Sequence, residues 1–368
     1  MTLWLPTHAS KLERWLGKDE VEHISRMNKN WYGPPIPISG VPGKVFVTSG
    51  GDFVGPIRGG HYANVLDYKA DKLNRAFKQY VRKAPNRLHG FSSLSDLISE
   101  ATTGGKRQDF WFNKVGTVAA STGQPMSLWP VGVYPPAGGV GGTSGTGVVP
   151  TNVTSGAIPF TNPAGGDTLH FTTGFVASTT VNTLMMYDRL WHMTYNHATS
   201  VSTAVDAANR PNRYTGTAAA GNFFCGEVTT ALSATAHNMT VTYVDENTNA
   251  AEAAAAYAAP VSAAANRLTL VSPNWFMPLN GADKGIQYAT IVAQSTITSV
   301  TGITSWFIGH PLAFMPAPIA NLMSIIDGIN SAFNMVEIKS NACLAFLEMP
   351  KTATTATTYN GDIVLVSG

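Results

Sequence analysis

Residues 168–178, Thr-Leu-His-Phe-Thr-Thr-Gly-Phe-Val-Ala-Ser, and 182–194, Asn-Thr-Leu-Met-Met-Tyr-Asp-Arg-Leu-Trp-His-Met-Thr, decide the fold class. Both runs are rich in β-branched and aromatic residues, which fit a pleated surface better than a helix. Similar runs recur at 221–229, 238–245, 266–271, 286–294 and 297–309. Loop formers separate them: Asn209-Arg-Pro-Asn-Arg-Tyr-Thr-Gly216, Asp245-Glu-Asn-Thr-Asn249 and Asn280-Gly-Ala-Asp-Lys-Gly285. The Ala-rich piece 248–265 is interrupted by Pro260 and reads as strand and loop. The chain is therefore expected to be mainly β, with an antiparallel β-sandwich (jelly-roll-like) body occupying residues 167–368.

At the end of this body, Phe314-Met-Pro-Ala-Pro318 leads into a nearly uncharged segment, Ile319–Phe333, ending near Ile338. An apolar strand, Ala342–Met349, follows. This C-terminal part is expected to be mostly buried and to face an assembly. Upstream of the body, residues 135–166 carry Gly, Ser, Thr and Pro with no charge, the composition of a linker or long loop, and the main domain boundary is placed there.

Residues 1–134 differ in kind and are read as a helical and extended anchoring arm. Ser10-Lys-Leu-Glu13 has the form of a capping box opening an amphipathic helix to about Met27, and Tyr32-Gly-Pro-Pro-Ile-Pro-Ile38 is an extended segment. Apolar residues recur near helical spacing from Ala63 to Arg82, a shorter helix is expected over Ser92–Glu100, and Asp109-Phe-Trp-Phe-Asn113 reads as a buried strand or anchor.

Charged residues make up only 12% of the 368-residue chain, about half the usual share. They are unevenly placed: residues 1–115 hold 17 Lys and Arg against 10 Asp and Glu, and residues 116–368 hold 7 against 12. A surface so poor in charge suits a protein covered by neighbours or solubilised by hydroxyls and amides. The two cysteines, Cys225 and Cys343, lie in apolar runs and read as small core residues in a reducing compartment. No secretory leader and no apolar run of membrane-spanning length is read, so no membrane partner is expected.

Chemistry is hard to find. His192 and His197 have a spacing unsuited to a helical metal pair, and His237 and His310 lie beside turn residues with no second ligand nearby. The glycine-rich run Gly139–Gly147 lacks the Lys and the strand-to-helix setting of a phosphate loop. Neither a nucleophile elbow nor a His-Glu-x-x-His pair occurs. The chain is therefore expected to be no enzyme and to need no cofactor or metal.

The candidate partner-interface residues lie in the N-terminal region: the aromatics Trp4, Trp15, Trp31 and Tyr32, and the basic residues Lys69, Lys72, Arg75, Lys78 and Arg82. Large aromatics anchor interfaces, although the same rings also serve as a small local core. The basic set suits an acidic protein surface, with direct nucleic-acid contact the weaker reading.

Four stretches, Leu184-Met-Met-Tyr-Asp-Arg-Leu190, Asn209–Gly216, His237-Asn-Met-Thr-Val-Thr-Tyr243 and Gly309-His-Pro-Leu-Ala-Phe314, resemble capsid-associated structural proteins of tailed bacteriophages. The resemblance implies a virion component assembled in the host cytoplasm, first a decoration or cement-like or minor capsid protein. It would bind shell proteins through its N-terminal arm and multimerise with copies of itself. The alternatives are the major capsid protein and a tail protein recognising glycans through Trp191, Trp275 and Trp306.

Overall fold

A computed structural model describes residues 91, 93–116, 124–269, 275–297, 302–329, 335–350 and 356–368, together with five two-residue strands before residue 62. The chain divides into two compact units, Met1–Leu88 and His89–Gly368. In the first, Ile36–Pro37, Phe46–Val47 and Phe53–Val54 form an antiparallel ladder, and Pro56–Ile57 pairs with Gly60–His61.

The second unit's single described α-helix, α1 (Leu94–Thr102), starts at Ser93, whose hydroxyl accepts a hydrogen bond from the Asp96 amide at 3.1 Å. Gly104 and Gly105, the latter at φ 65°, follow its end. The strands are β1 (Arg107–Val115), β2 (Met126–Ser127), β3 (Val133–Tyr134), β4 (Leu169–Ser178), β5 (Asn182–Asn196), β6 (Ser202–Ala204), β7 (Phe223–Thr230) and β8 (Asn238–Asp245). They continue as β9 (Glu252–Ala253), β10 (Tyr257–Ala258), β11 (Ile286–Gln294), β12 (Ile303–Ala317), β13 (Ser324–Asp327), β14 (Glu337–Ile338), β15 (Leu344–Pro350) and β16 (Thr358–Ser367).

The body is an antiparallel β-sandwich, as expected, built from three sheets. A central sheet runs β7-β12-β5-β15-β2, a second runs β13-β4-β16-β1-β3 with β14 also on β4, and a third runs β6-β11-β8-β9 with β10 also on β8. Alternation along β5 shows how the central sheet is buried on both sides: Leu184 and Met186 join the core shared with the second sheet, whereas Met185 and Tyr187 join the core shared with the third. On β15, Leu344 and Phe346 go one way and Ala345, Leu347 and Met349 the other. Strands buried on both faces read as near-continuous apolar runs, which is why 182–194 stands out in the sequence.

The expected strands over 168–178, 182–194, 221–229, 238–245 and 286–294 match β4, β5, β7, β8 and β11. Two expectations are corrected. Of the run 266–271, the described residues 266–269 form no strand and contribute bridges at Arg267 and Leu268. The run 297–309 becomes β12, shifted forward and passing through Pro311 and Pro316. The shift has a physical reason: β7 pairs with β12 only as far as Gly309, so beyond it β12 has one neighbour among the described residues, β5, and a proline without an N–H is tolerated there.

Residues 135–166 lie within the second compact unit as a long loop that buries Ile158 and Phe160. Their glycines permit close approach: a Cβ on Gly138 would run into the Trp129 ring, and one on Gly147 into Trp191 Nε1. Lys114 ties the start of this loop to β1, its buried ammonium donating to the carbonyls of Val131 and Pro135 at 2.8 Å each. The division between units falls at Leu88, so β1, which the sequence groups with the N-terminal region, is an interior strand of the second sheet.

Candidate interaction surface

Every candidate partner-interface residue of the sequence analysis, Trp4, Trp15, Trp31, Tyr32, Lys69, Lys72, Arg75, Lys78 and Arg82, lies outside the described residues.

The body's polar chemistry is concentrated in the interior. β5 and β12 shift register at Met186/Tyr187 and Arg189/Trp191, and two ion pairs sit at this irregularity. Arg189 and Glu227 are both wholly buried, with Arg189 Nη2 to Glu227 Oε1 at 2.7 Å. Arg189 also donates to His192 Nδ1 at 3.0 Å and lies over the Phe307 ring at 4.2 Å. Arg213 reaches from the 209–216 loop to Asp188, with Nε to Oδ2 at 2.8 Å and Nη2 to Oδ1 at 2.9 Å. The Cys343 amide donates to the same carboxylate at 2.8 Å. Burial pushes the Asp188 carboxyl up and Arg213 opposes it. Tyr214 stacks on His310 at 3.8 Å, so three of the four quoted stretches meet around Asp188, which pairs in register with His310.

The histidines are structural. His197 Nδ1 donates to Gln294 Oε1 at 2.9 Å, leaving Nε2 to accept from the Thr304 hydroxyl at 3.0 Å, and burial pulls its pKa down to about 4. His310 is also lowered to about 4, by burial and then by Lys339. Burial and the Arg189 charge keep His192 neutral.

Asp245, Glu246 and Asp283 bring carboxylate oxygens within 4.8 Å of one another. Those oxygens are occupied by the protein: Asp245 accepts from the amides of Asn247 and Asn249, Glu246 from those of Lys284 and Gly285, and Asp283 from the Tyr243 hydroxyl. The trio closes turns. A cleft of about 390 Å³ lies between the 209–216 loop and β14. Its charges are paired, Arg213 with Asp188, Lys339 with Glu337 and Asp167 with Lys106, which leaves little to hold a charged ligand.

The tryptophans proposed for glycan recognition are displaced from that role: Trp191 and Trp306 are buried and Trp275 is partly buried against the core. Trp111, read as a buried strand or anchor residue, is 60% exposed and stacks on Tyr134 at 4.6 Å. It begins a row across the outer face of the second sheet, because the register pairs Trp111 with Asp362, Asp362 with Phe175 and Phe175 with Ile325. α1 covers part of this face, packing Leu97 and Phe91 on Val364 and Val366. Between helix and sheet runs a groove of about 280 Å³ lined by Ile98, Phe175 and Ile329. The segment expected to be mostly buried, 319–333, instead exposes Ile319, Leu322, Met323, Ile325 and Ile329 in the single chain.

No protein-family model and no curated protein sequence matches the chain. Among solved structures, that of the infectious bursal disease virus Gt strain is 11% identical over 71% of this chain and 80% of that chain, with a TM-score of 0.15. The crystal structure of the infectious bursal disease virus VP2 subviral particle is 9% identical over 73% and 86%, with a TM-score of 0.12. Superpositions this poor carry no argument about shape or role.

Proposed function

We propose that the chain is a non-enzymatic structural component of a virus particle, held there by contacts with copies of itself and with shell proteins. The observation that carries this reading is what happens to the few charges of the body. Residues 116–368 have 19 charged side chains, and seven of them, Asp188, Arg189, Arg213, Glu227, Asp245, Glu246 and Glu348, are buried. A surface depleted twice over, in composition and then by burial, is poorly suited to a free monomer and well suited to packing between neighbours.

The finer assignment, a tailed-bacteriophage decoration or cement-like protein assembled in the host cytoplasm, rests on the four quoted stretches and on the excess of basic residues before residue 116. Its test is the mass of the purified chain by light scattering, alone and mixed with empty phage shells. Saturable shell binding is the expected result. Closed particles formed by the chain alone would make it the shell protein, and a monomer that ignores shells would reject a virion role.

A further inference from the structure

We propose that the outer face of the second sheet, from Trp111 on β1 to Ile325 on β13, is the contact face for a second copy of this chain. The proposal rests on the self-associating virion reading and names the surface that reading leaves open.

An antiparallel sheet with one face on the core normally turns polar side chains outward. Here the outward row is Trp111, Asp362, Phe175 and Ile325, with Trp111 at 60% and Ile325 at 62% exposure. Met323, exposed just before β13, adjoins this row, and Ile329, Ile98 and Leu94 extend the face along the groove and α1. Six half-exposed side chains of this size leave on the order of 300 Å² of apolar surface. A standard interface buries about 800 Å² per partner, a little over half of it apolar, so this one face supplies most of the required apolar area.

The charges on the face select among partners. Its one cation in these rows, Arg107, is held by Asp109 at 2.6 Å, which leaves no spare positive charge for phosphates or an anionic membrane. Burial and then the Asp109 charge raise the pKa of the Asp362 carboxyl above its usual value. An apolar, nearly neutral patch is matched by another such patch, and this chain carries one. Among the described residues β13 is also the outer strand of the sheet, pairing only with β4, an edge that can extend the contact by strand pairing.

The experiment is sedimentation velocity on the full chain and on Ile325→Lys, Trp111→Lys and Val153→Lys, the last a control at a valine that is 84% exposed on the 135–166 loop. The wild type is expected to self-associate. Each face variant should weaken association by about tenfold or more, as losing one buried side chain implies, while the control matches the wild type. Far-UV circular dichroism checks that the variants are folded, which is expected at exposed positions. Face variants that associate like the wild type would overturn this surface and leave the virion reading intact. A wild type that stays monomeric and also ignores empty shells would overturn both.

Discussion

Replacing Glu227 by alanine is expected to destabilise the body by about 3–5 kcal/mol, the usual loss when one partner of a fully buried ion pair is removed. Arg189 cannot shed its proton to escape, since a guanidinium stays charged at any workable pH. It would be left at zero exposure with neutral partners only, His192, Tyr187 and Ser305. Glu227→Gln should cost less, because the amide oxygen keeps one acceptor for Arg189. Replacing both residues together by apolar ones of similar volume should recover much of the loss, because desolvation offsets most of what a buried pair gains. Urea unfolding of the four proteins measures this; a Glu227→Ala loss below about 1 kcal/mol would show that the pair is not the isolated buried charge argued here.

The position of the pair explains why a β-body would retain it. β5 and β12 pair over their whole lengths and serve two different cores, so a slip of one residue would exchange the sets facing the second and third sheets. Arg189 and Asp188 each have a fixed partner from another strand or loop, Glu227 on β7 and Arg213 in the 209–216 loop. Both pairs lie where the register shifts, and only one alignment satisfies both.

Much of this fold was legible because β4, β5, β8 and β11 are dense in apolar, β-branched and aromatic residues bounded by turn formers. Pro311 and Pro316 concealed the length of β12, since their tolerance depends on where β7 stops, a fact of pairing rather than of composition. The glycines of 135–166 read as a linker, yet Gly138 and Gly147 are small because Trp129 and Trp191 press against them. The site was less legible than the fold. Glu227 lies 38 residues from Arg189 and Arg213 lies 25 from Asp188, separations that carry no local signal. Trp111 sits in an apolar run, Asp109-Phe-Trp-Phe-Asn113, and only the alternation of β1 settles that Phe112 points in and Trp111 out. The aromatic and basic residues chosen from the N-terminal region lie outside the described residues, so the candidate surface rests on other positions.

Replacing Glu348 by glutamine is expected to stabilise the body at alkaline pH and to leave it nearly unchanged at pH 4. Glu348 is fully buried on β15, with Oε1 accepting from Asn182 Nδ2 at 3.1 Å. Burial raises the carboxyl from 4.5 to about 7, outweighing the hydroxyls of Thr357 and Tyr359. A carboxyl whose folded pKa lies above its unfolded one binds more protons when folded, so stability falls as pH rises from about 4.5 to 7. At about 1.4 kcal/mol per pH unit, the penalty above pH 7 is on the order of 3 kcal/mol. Glutamine keeps the shape and the acceptor for Asn182, and its amide can donate to Tyr359. His197 and His310, both lowered to about 4, act in the opposite sense, since they cost stability as pH falls below about 6.5. They are present in both proteins and cancel in the difference. The difference in unfolding free energy between Glu348→Gln and wild type should therefore climb between pH 4.5 and 7 and level off above it. A difference independent of pH would mean that Glu348 remains ionised in the folded chain.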